Sequence, residues 1–207
     1  QQPTLWATAE VAVEGALADL APVTVEVVTP GVAGHKRFER YLAAHHYLGY
    51  RGPVGENLAY LARDARGRDI ACLLFGAAAW RTRARDEWIG WNDATRAKRL
   101  STITNNTRFL VLPWVRVPHL ASHLLGAVMR RLGRDWEEKY GHPVCLVETF
   151  VDRERFRGTC YQAANWRLLG QTRGRSRQDT HKKLKVAVKD IYAYPLTRRF
   201  RERLTGA

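Results

Sequence analysis

The residues with the most chemical potential fall in one stretch, 143–172, PVCLVETFVDRERFRGTCYQAANWRLLGQT. Glu148 stands in an apolar run with Val144, Leu146, Val147 and Phe150. Burial raises a carboxyl pKa, which is what a general base working near neutrality needs. Tyr161 lies on the predicted helix Thr159–Trp166 that follows Gly158, where a phenol can serve as general acid. Asp152 closes the strand and either assists or caps the turn. The same residues have a structural reading. Glu148 paired with Arg108 of a neighbouring strand is an ion pair, and Tyr161 donates one buried hydrogen bond.

His45 and His46 are adjacent, so they cannot share one helical face. A histidine there either carries protons near neutral pH or caps the carbonyls of a helix end. Tyr47 and Tyr50 stack on bases or pack in the core. Trp88 and Trp91 are interleaved with Arg81, Arg83 and Arg85, a composition suited to single-stranded or flipped bases. The alternative is that both tryptophans are core. Asn105 and Asn106 read as an adenine contact or a turn. Arg108, next to them, is a further candidate for nucleic-acid contact, and Arg153, Arg155, Arg157, Arg173, Arg175 and Arg177 read as phosphate contacts.

The elements that must hold these residues are legible in order. Gln1–Ala21 has a weak helical period, and Val23–Val28 alternates as a strand. Lys36–His46 is an amphipathic helix with Phe38, Tyr41 and Leu42 inward. Asn57–Arg63 and Ile70–Trp80 form an antiparallel hairpin around a connection containing Gly67. Asp86–Trp91 is an aromatic turn at Gly90, and Asp93–Ser101 a short helix. Thr107–Val115 is a strand. Leu120, Leu124, Val128, Leu132 and Trp136 then mark one helix over Pro118–Tyr140. Leu168–Gln171 and Leu184–Tyr194 are further strands. This is an α+β chain, with a single mixed, mostly antiparallel sheet flanked by helices. We expect an N-terminal extension over 1–35, a core over 36–172 and a basic closing segment over 173–207.

Composition narrows the partners. Thirty-four Lys and Arg against 20 Asp and Glu give a formal charge of +14. Residues 173–207 carry a net +8 of it. Such an excess favours a polyanion, with nucleic acid first and an anionic membrane a distant second. Cys72, Cys145 and Cys160 have no CxxC spacing and sit in apolar surroundings. Reduced core thiols in the cytosol are expected, with no metal site. No apolar run approaches a membrane span. The one methionine is Met129, so a processed chain or a piece of a longer protein is expected.

The element order resembles the fold of the GCN5-related N-acetyltransferases, with Thr107–Val115, Pro118–Tyr140, Val144–Val151 and Thr159–Trp166 matching its successive parts. That resemblance implies a donor bound at the start of the helix near Pro118, and a catalytic tyrosine at Tyr161. Mom-type phage DNA-modification proteins have related architecture. The donor loop of that family is rich in glycine, because amides must approach phosphate closely. Here Trp114–His119 has none. Acetyl-coenzyme A is therefore a doubtful cofactor and the donor unknown, though Arg116 and His119 can hold another phosphate.

A closer resemblance rests on HHYLGY (45–50), RDEWIGW (85–91), NNTRFLVLPWVRVPHLAS (105–122), ETFVDRERFRGTCYQAANW (148–166) and GQTRGRS (170–176). These words are similar to the DruA family of Druantia antiphage systems, a domain also found beside transposases. The resemblance implies antiphage defence or a mobile element, and action on DNA. One expectation is an enzyme that modifies a base amine or draws an aminoacyl group from tRNA, with Glu148 as base, Tyr161 as acid and His46 or Asp152 assisting. The other is a non-catalytic DNA-binding module that recruits a helicase, nuclease or transposase.

Overall fold

Apolar alternation along the chain builds one sheet, and its strand order explains where a site can form. The computed structural model describes residues 11–173 and 187–206. Its strands are β1 (Val13–Glu14), β2 (Thr24–Val27), β3 (Leu58–Arg63), β4 (Asp69–Ala77), β5 (Ile103–Val111), β6 (Val115–Arg116), β7 (Leu146–Asp152), β8 (Arg167–Gln171) and β9 (Lys189–Pro195). Its helices are α1 (Ala33–His45), α2 (Arg83–Ile89), α3 (Asp93–Arg99), α4 (Leu120–Met129), α5 (Leu132–Tyr140), α6 (Thr159–Ala163) and α7 (Phe200–Thr205). Seven strands form the main sheet in the order β2-β3-β4-β5-β7-β9-β8. Every neighbouring pair in it is antiparallel except β5 and β7. β1 and β6 make a separate parallel pair.

The parallel pair opens early. Only Ile103, Thr104 and Asn105 of β5 are paired with β7, opposite Leu146, Val147 and Glu148. Beyond that point β5 stays with β4 and β7 stays with β9. A bulge causes the divergence. Leu74 pairs with Arg108 and Phe75 with Asn106, so Thr107 is the extra residue. A bulge bends its strand, raises the local twist and shifts the phase of alternation. Asn106 and Arg108 therefore face opposite sides of the sheet.

The faces follow from the contacts. Tyr60 donates to Asp135 of α5 at 2.9 Å, and Phe109 meets Tyr161 of α6 edge-on. That face carries α4, α5 and α6. The other carries α1, with Phe38, Tyr41 and Leu42 buried as predicted. It also carries α2, α3 and α7, packed over Leu146, Ile103 and Ala193.

Several boundaries differ from the sequence reading. The helix predicted over Pro118–Tyr140 is two helices, broken at Arg130–Arg131. Arg131 bonds Asp135 at 2.5 Å and the Val25 carbonyl at 2.6 Å, which ties it to α5 and β2. The four-residue ladder continues across the break, with Leu124, Val128, Leu132 and Trp136 all buried, so periodicity alone does not reveal it. The aromatic turn at Asp86–Trp91 is helix α2, closed by Gly90 at φ 85°. The strand predicted at Thr107 begins at Ile103, because Asn105 and Asn106 are strand residues. Over 11–21 the chain forms β1 and one 3-10 turn, not a helix.

Candidate functional site

Where β5 and β7 part, a cavity of about 640 Å³ opens. It is lined from both faces. His46, Tyr47 and Leu48 reach it from the segment after α1, and Cys160 and Tyr161 reach it from α6. Asn106 sits at the apex. Its Nδ2 donates to the carbonyls of Leu74 and Arg108 at 3.1 and 3.0 Å, which ties the two strands together at the bulge. Its own carbonyl accepts from Thr149 Oγ1 at 3.0 Å, bridging the first gap between the strands. Its Oδ1 accepts from the Tyr161 hydroxyl at 2.7 Å. Sequence reasoning weighs Asn106 as a turn or a base contact. Its role as the pivot of the splay needed the bulge, which no local pattern announces.

Tyr161 is buried, and burial pushes its phenol above the ordinary tyrosine value. It stays protonated across the physiological range. His46 Nδ1 accepts from the Leu48 amide at 3.2 Å, so its proton rides on Nε2. Burial, with nearby Arg108, pushes the imidazole down to about 4. Asp152 accepts from the Glu154 amide at 3.0 Å and lies 3.5 Å from Arg155 Nε. It both caps its turn and lines the cavity. Tyr47 packs on Phe156 at 5.3 Å, with the Arg155 guanidinium 5.2 Å from its ring centre. The segments after α1 and β7 thus touch across the cavity mouth.

The sequence predicts Glu148 opposite Tyr161 in one cleft. The alternation of β7 instead puts Glu148 on the α2 face, while Thr149 faces the cavity and Tyr161. Glu148 and Arg85 are both 0% exposed, and Arg85 Nη1 donates to Glu148 Oε2 at 2.8 Å. The Ala79 amide donates to Oε1 at 2.7 Å. Burial pushes the Glu148 carboxyl up, while Arg85 and the Ala79 amide pull it back. Arg85 also binds Asp86 Oδ1 through Nε and Nη2 at 3.0 and 2.8 Å, and Trp91 Nε1 donates to the same oxygen at 2.9 Å. Arg85 and Trp91, expected at a nucleic-acid surface, are therefore interior. An arginine inside a helix flanked by charges looks solvated in sequence. Only the partner three strands away shows that it is not. The expected Glu148–Arg108 pair does not form either.

The remaining predicted residues are dispersed. Arg108 lines the cavity. Arg81 pairs with Asp93, and Arg83 with Glu87, both exposed. Trp88 stacks on Phe200, with Arg201 and Arg167 at 4.9 and 5.7 Å from its ring. Arg155 and Arg173 are exposed. Arg175 and Arg177 lie outside the described residues. Arg116 is exposed and 3.8 Å from Glu14, and His119 is the residue before α4. Among the described residues no group of His, Cys, Asp or Glu is arranged to hold a metal ion. No described helix is long and apolar enough to cross a membrane.

The profile of the family described as "Druantia protein DruA" matches residues 9–184. No curated protein matches the chain in sequence. Among solved structures, the spermidine N-acetyltransferase of Vibrio cholerae with CoA and spermine is similar at a TM-score of 0.53 and 8% identity, over 84% of this chain and 95% of that one. A dodecameric form of the Vibrio cholerae enzyme gives 0.54 and 9%, over 84% and 94%. A provisionally assigned phosphinothricin N-acetyltransferase gives 0.54 and 13%, over 84% and 99%. These likenesses establish the fold of the GCN5-related N-acetyltransferases.

That fold implies an acyl-coenzyme A donor whose pyrophosphate sits on free amides at the start of α4. The residues here do not fit it. Pro113 and Pro118 supply no N–H. The Val115 amide is bonded to Leu112 O at 2.9 Å, and the Leu120 amide to Val117 O at 3.4 Å. The Trp114 carbonyl is held by the Val13 amide at 2.9 Å, and the Trp114 ring packs on Tyr41 and His45. The segment lacks the run of glycine amides that the fold's donor loop supplies, which leaves the Ala121 and Ser122 amides in the first turn of α4.

Proposed function

This chain belongs to the DruA family, and from that premise we propose that it is a group-transfer enzyme acting on a polynucleotide in antiphage defence or a mobile element. The observation that carries the reading is the cavity at the β5–β7 splay, with a protonated phenol, a neutral imidazole and a carboxylate on its walls. In this reading the acceptor is a base amine, and the donor is an activated acyl or aminoacyl ester. The amine nitrogen attacks the acyl carbon, and the bond to the leaving oxygen breaks. Asp152 takes the amine proton, and Tyr161 gives its proton to the leaving group. The His46 Nε2–H donates a hydrogen bond to the oxygen on which charge develops. Glu148 serves the fold by neutralising Arg85.

Nucleoside mass spectrometry tests this. Host DNA and tRNA from cells expressing the wild type should contain a modified nucleoside that is missing with Tyr161→Phe and with an empty vector. Three identical nucleoside profiles would sink the enzyme reading.

A second reading is a non-catalytic DNA-binding module that recruits a helicase, nuclease or transposase. It is favoured by the exposed arginines around Trp88 and along α7, on the face away from α6. It predicts that antiphage activity or transposition survives Tyr161→Phe but not charge reversal on that face.

A further inference from the structure

Of the cations on the cavity wall, Arg108 is held in place by the backbone and has no part in the transfer step. Arg108 Nε donates to Gly49 O at 3.1 Å, and Nη1 donates to Thr107 O at 2.8 Å. Its Nη2 has no hydrogen-bond partner, and no carboxylate pairs with it, among the described residues. Other arginines with little exposure among the described residues are different. Arg85, Arg96 and Arg131 each face a carboxylate. Arg108 is partly buried, and desolvation alone pulls its guanidinium below the ordinary arginine value. Even partial desolvation of a cation without a counter-ion has a cost, which a pairing group or a ligand anion removes. Two backbone carbonyls fix the stem of this one, so it cannot swing out to water without losing both bonds. On the same face of β5, Asn105 keeps a buried Oδ1 with no hydrogen-bond partner among the described residues. Arg157 and Lys189 also line the cavity, against the single carboxylate of Asp152.

We propose that Arg108 is the anchor of a phosphate subsite, so that the molecule entering the cavity carries a phosphate group. The inference deepens the reading of this cavity as a reaction site and rests on it. The excess of donors over carboxylates favours a phosphate, with several oxygens to satisfy, over a carboxylate. The phosphate comes either from a free nucleotide or from the backbone of a polynucleotide end.

Calorimetric titration of the full chain separates these. The probes are inorganic phosphate, adenosine 5′-monophosphate, adenosine, acetate and a 5′-phosphorylated dinucleotide, each against the wild type, Arg108→Gln, Arg108→Lys and Arg83→Gln. The phosphate-bearing probes should bind and adenosine and acetate should not. Arg108→Gln should weaken the binding by about tenfold or more, as expected when a charge-assisted hydrogen bond is lost. Arg108→Lys should fall between, and Arg83→Gln, exposed and paired with Glu87 away from the cavity, should match the wild type. Tighter binding of the dinucleotide than of the mononucleotide assigns the phosphate to a polynucleotide end, and the reverse to a free nucleotide. Equal binding by the wild type and Arg108→Gln overturns the proposal, as does acetate binding as well as phosphate. Because binding is read without turnover, Arg108-dependent phosphate binding with no modified nucleoside would defeat the transfer reading alone.

Discussion

At the scale of single residues, Glu148 and His46 have exchanged the roles that their types advertise. A carboxyl in an apolar strand is the more conspicuous residue, yet both of its oxygens are taken by Arg85 and the Ala79 amide. Removing one partner of a buried ion pair leaves the other uncompensated, which costs roughly 3–5 kcal/mol. Glu148→Ala should lose stability toward the lower end of that range in urea unfolding, because Asp86 still holds Arg85. The double variant Glu148→Leu/Arg85→Met should recover most of it. Unchanged stability in Glu148→Ala would show that the pair is not what holds α2 to the sheet. His46 gives a pH signature instead. Its folded pKa of about 4 lies below the ordinary value of 6.5. Protons therefore bind the unfolded state more tightly, and stability is full above about pH 6.5 and falls as pH drops toward 4. Half-exposure screens the effect, so it is smaller than the full linkage value. Unfolding between pH 7 and 5 should show a shallower loss in His46→Gln than in the wild type. His142 shifts the opposite way against Glu56, which makes the difference between the two proteins, not the raw slope, the quantity to read.

Among elements, α6 owes its position to one backbone torsion. Gly158 precedes the helix at φ 69°, and a methyl there would stand 2.6 Å from the Tyr192 hydroxyl. That hydroxyl accepts from Gln162 Nε2 at 2.9 Å, and the Tyr192 ring stacks on Tyr161. Gly158→Ala should cost about 1–2 kcal/mol from the left-handed backbone alone, with displacement of Tyr192 added. Thermal unfolding beside the neighbouring Thr159→Ala, on an exposed site, isolates the effect. The sequence makes Gly158 and the helix behind it visible, because glycine before an apolar turn is a local signal. It also shows the one-face-buried helices and the strand order that leads to the acyltransferase fold. It does not show the splay. That depends on Thr107 being an extra residue opposite Leu74 and Phe75, a fact of pairing between β4 and β5. The phase shift sends Asn106 to α6 and Arg108 to α1. For the same reason the sequence puts Glu148 and Tyr161 together, since strand alternation is legible but which face each helix covers is not.

Across the whole molecule, the recruiting-module reading has a basic surface of its own, away from the cavity. Arg99, Arg199 and Arg203 line a cleft of about 340 Å³ with Glu202 as its one carboxylate. Lys98, Arg167, Arg198 and Arg201 are exposed nearby on α3, α7 and β8 or next to them. The cleft approaches Cys145 at the start of β7, through Arg203, whereas the cavity lies at the end of β7. Phosphates neutralised by arginine release counter-ions, so the logarithm of affinity falls linearly with that of salt, by roughly 0.9 for each contact on duplex DNA. Each cleft arginine removed should flatten that line by about 1. Fluorescence anisotropy with a duplex oligonucleotide should thus give a slope smaller by about 2 for Arg99→Gln/Arg203→Gln. Tyr161→Phe should leave it unchanged, as should Arg83→Gln, whose charge is already met by Glu87 at 2.7 Å. If the double variant keeps the full slope while Arg155→Gln and Arg157→Gln flatten it, the strand is held at the cavity mouth. The cleft would then be a solvated face and the recruiting-module reading would lose its support.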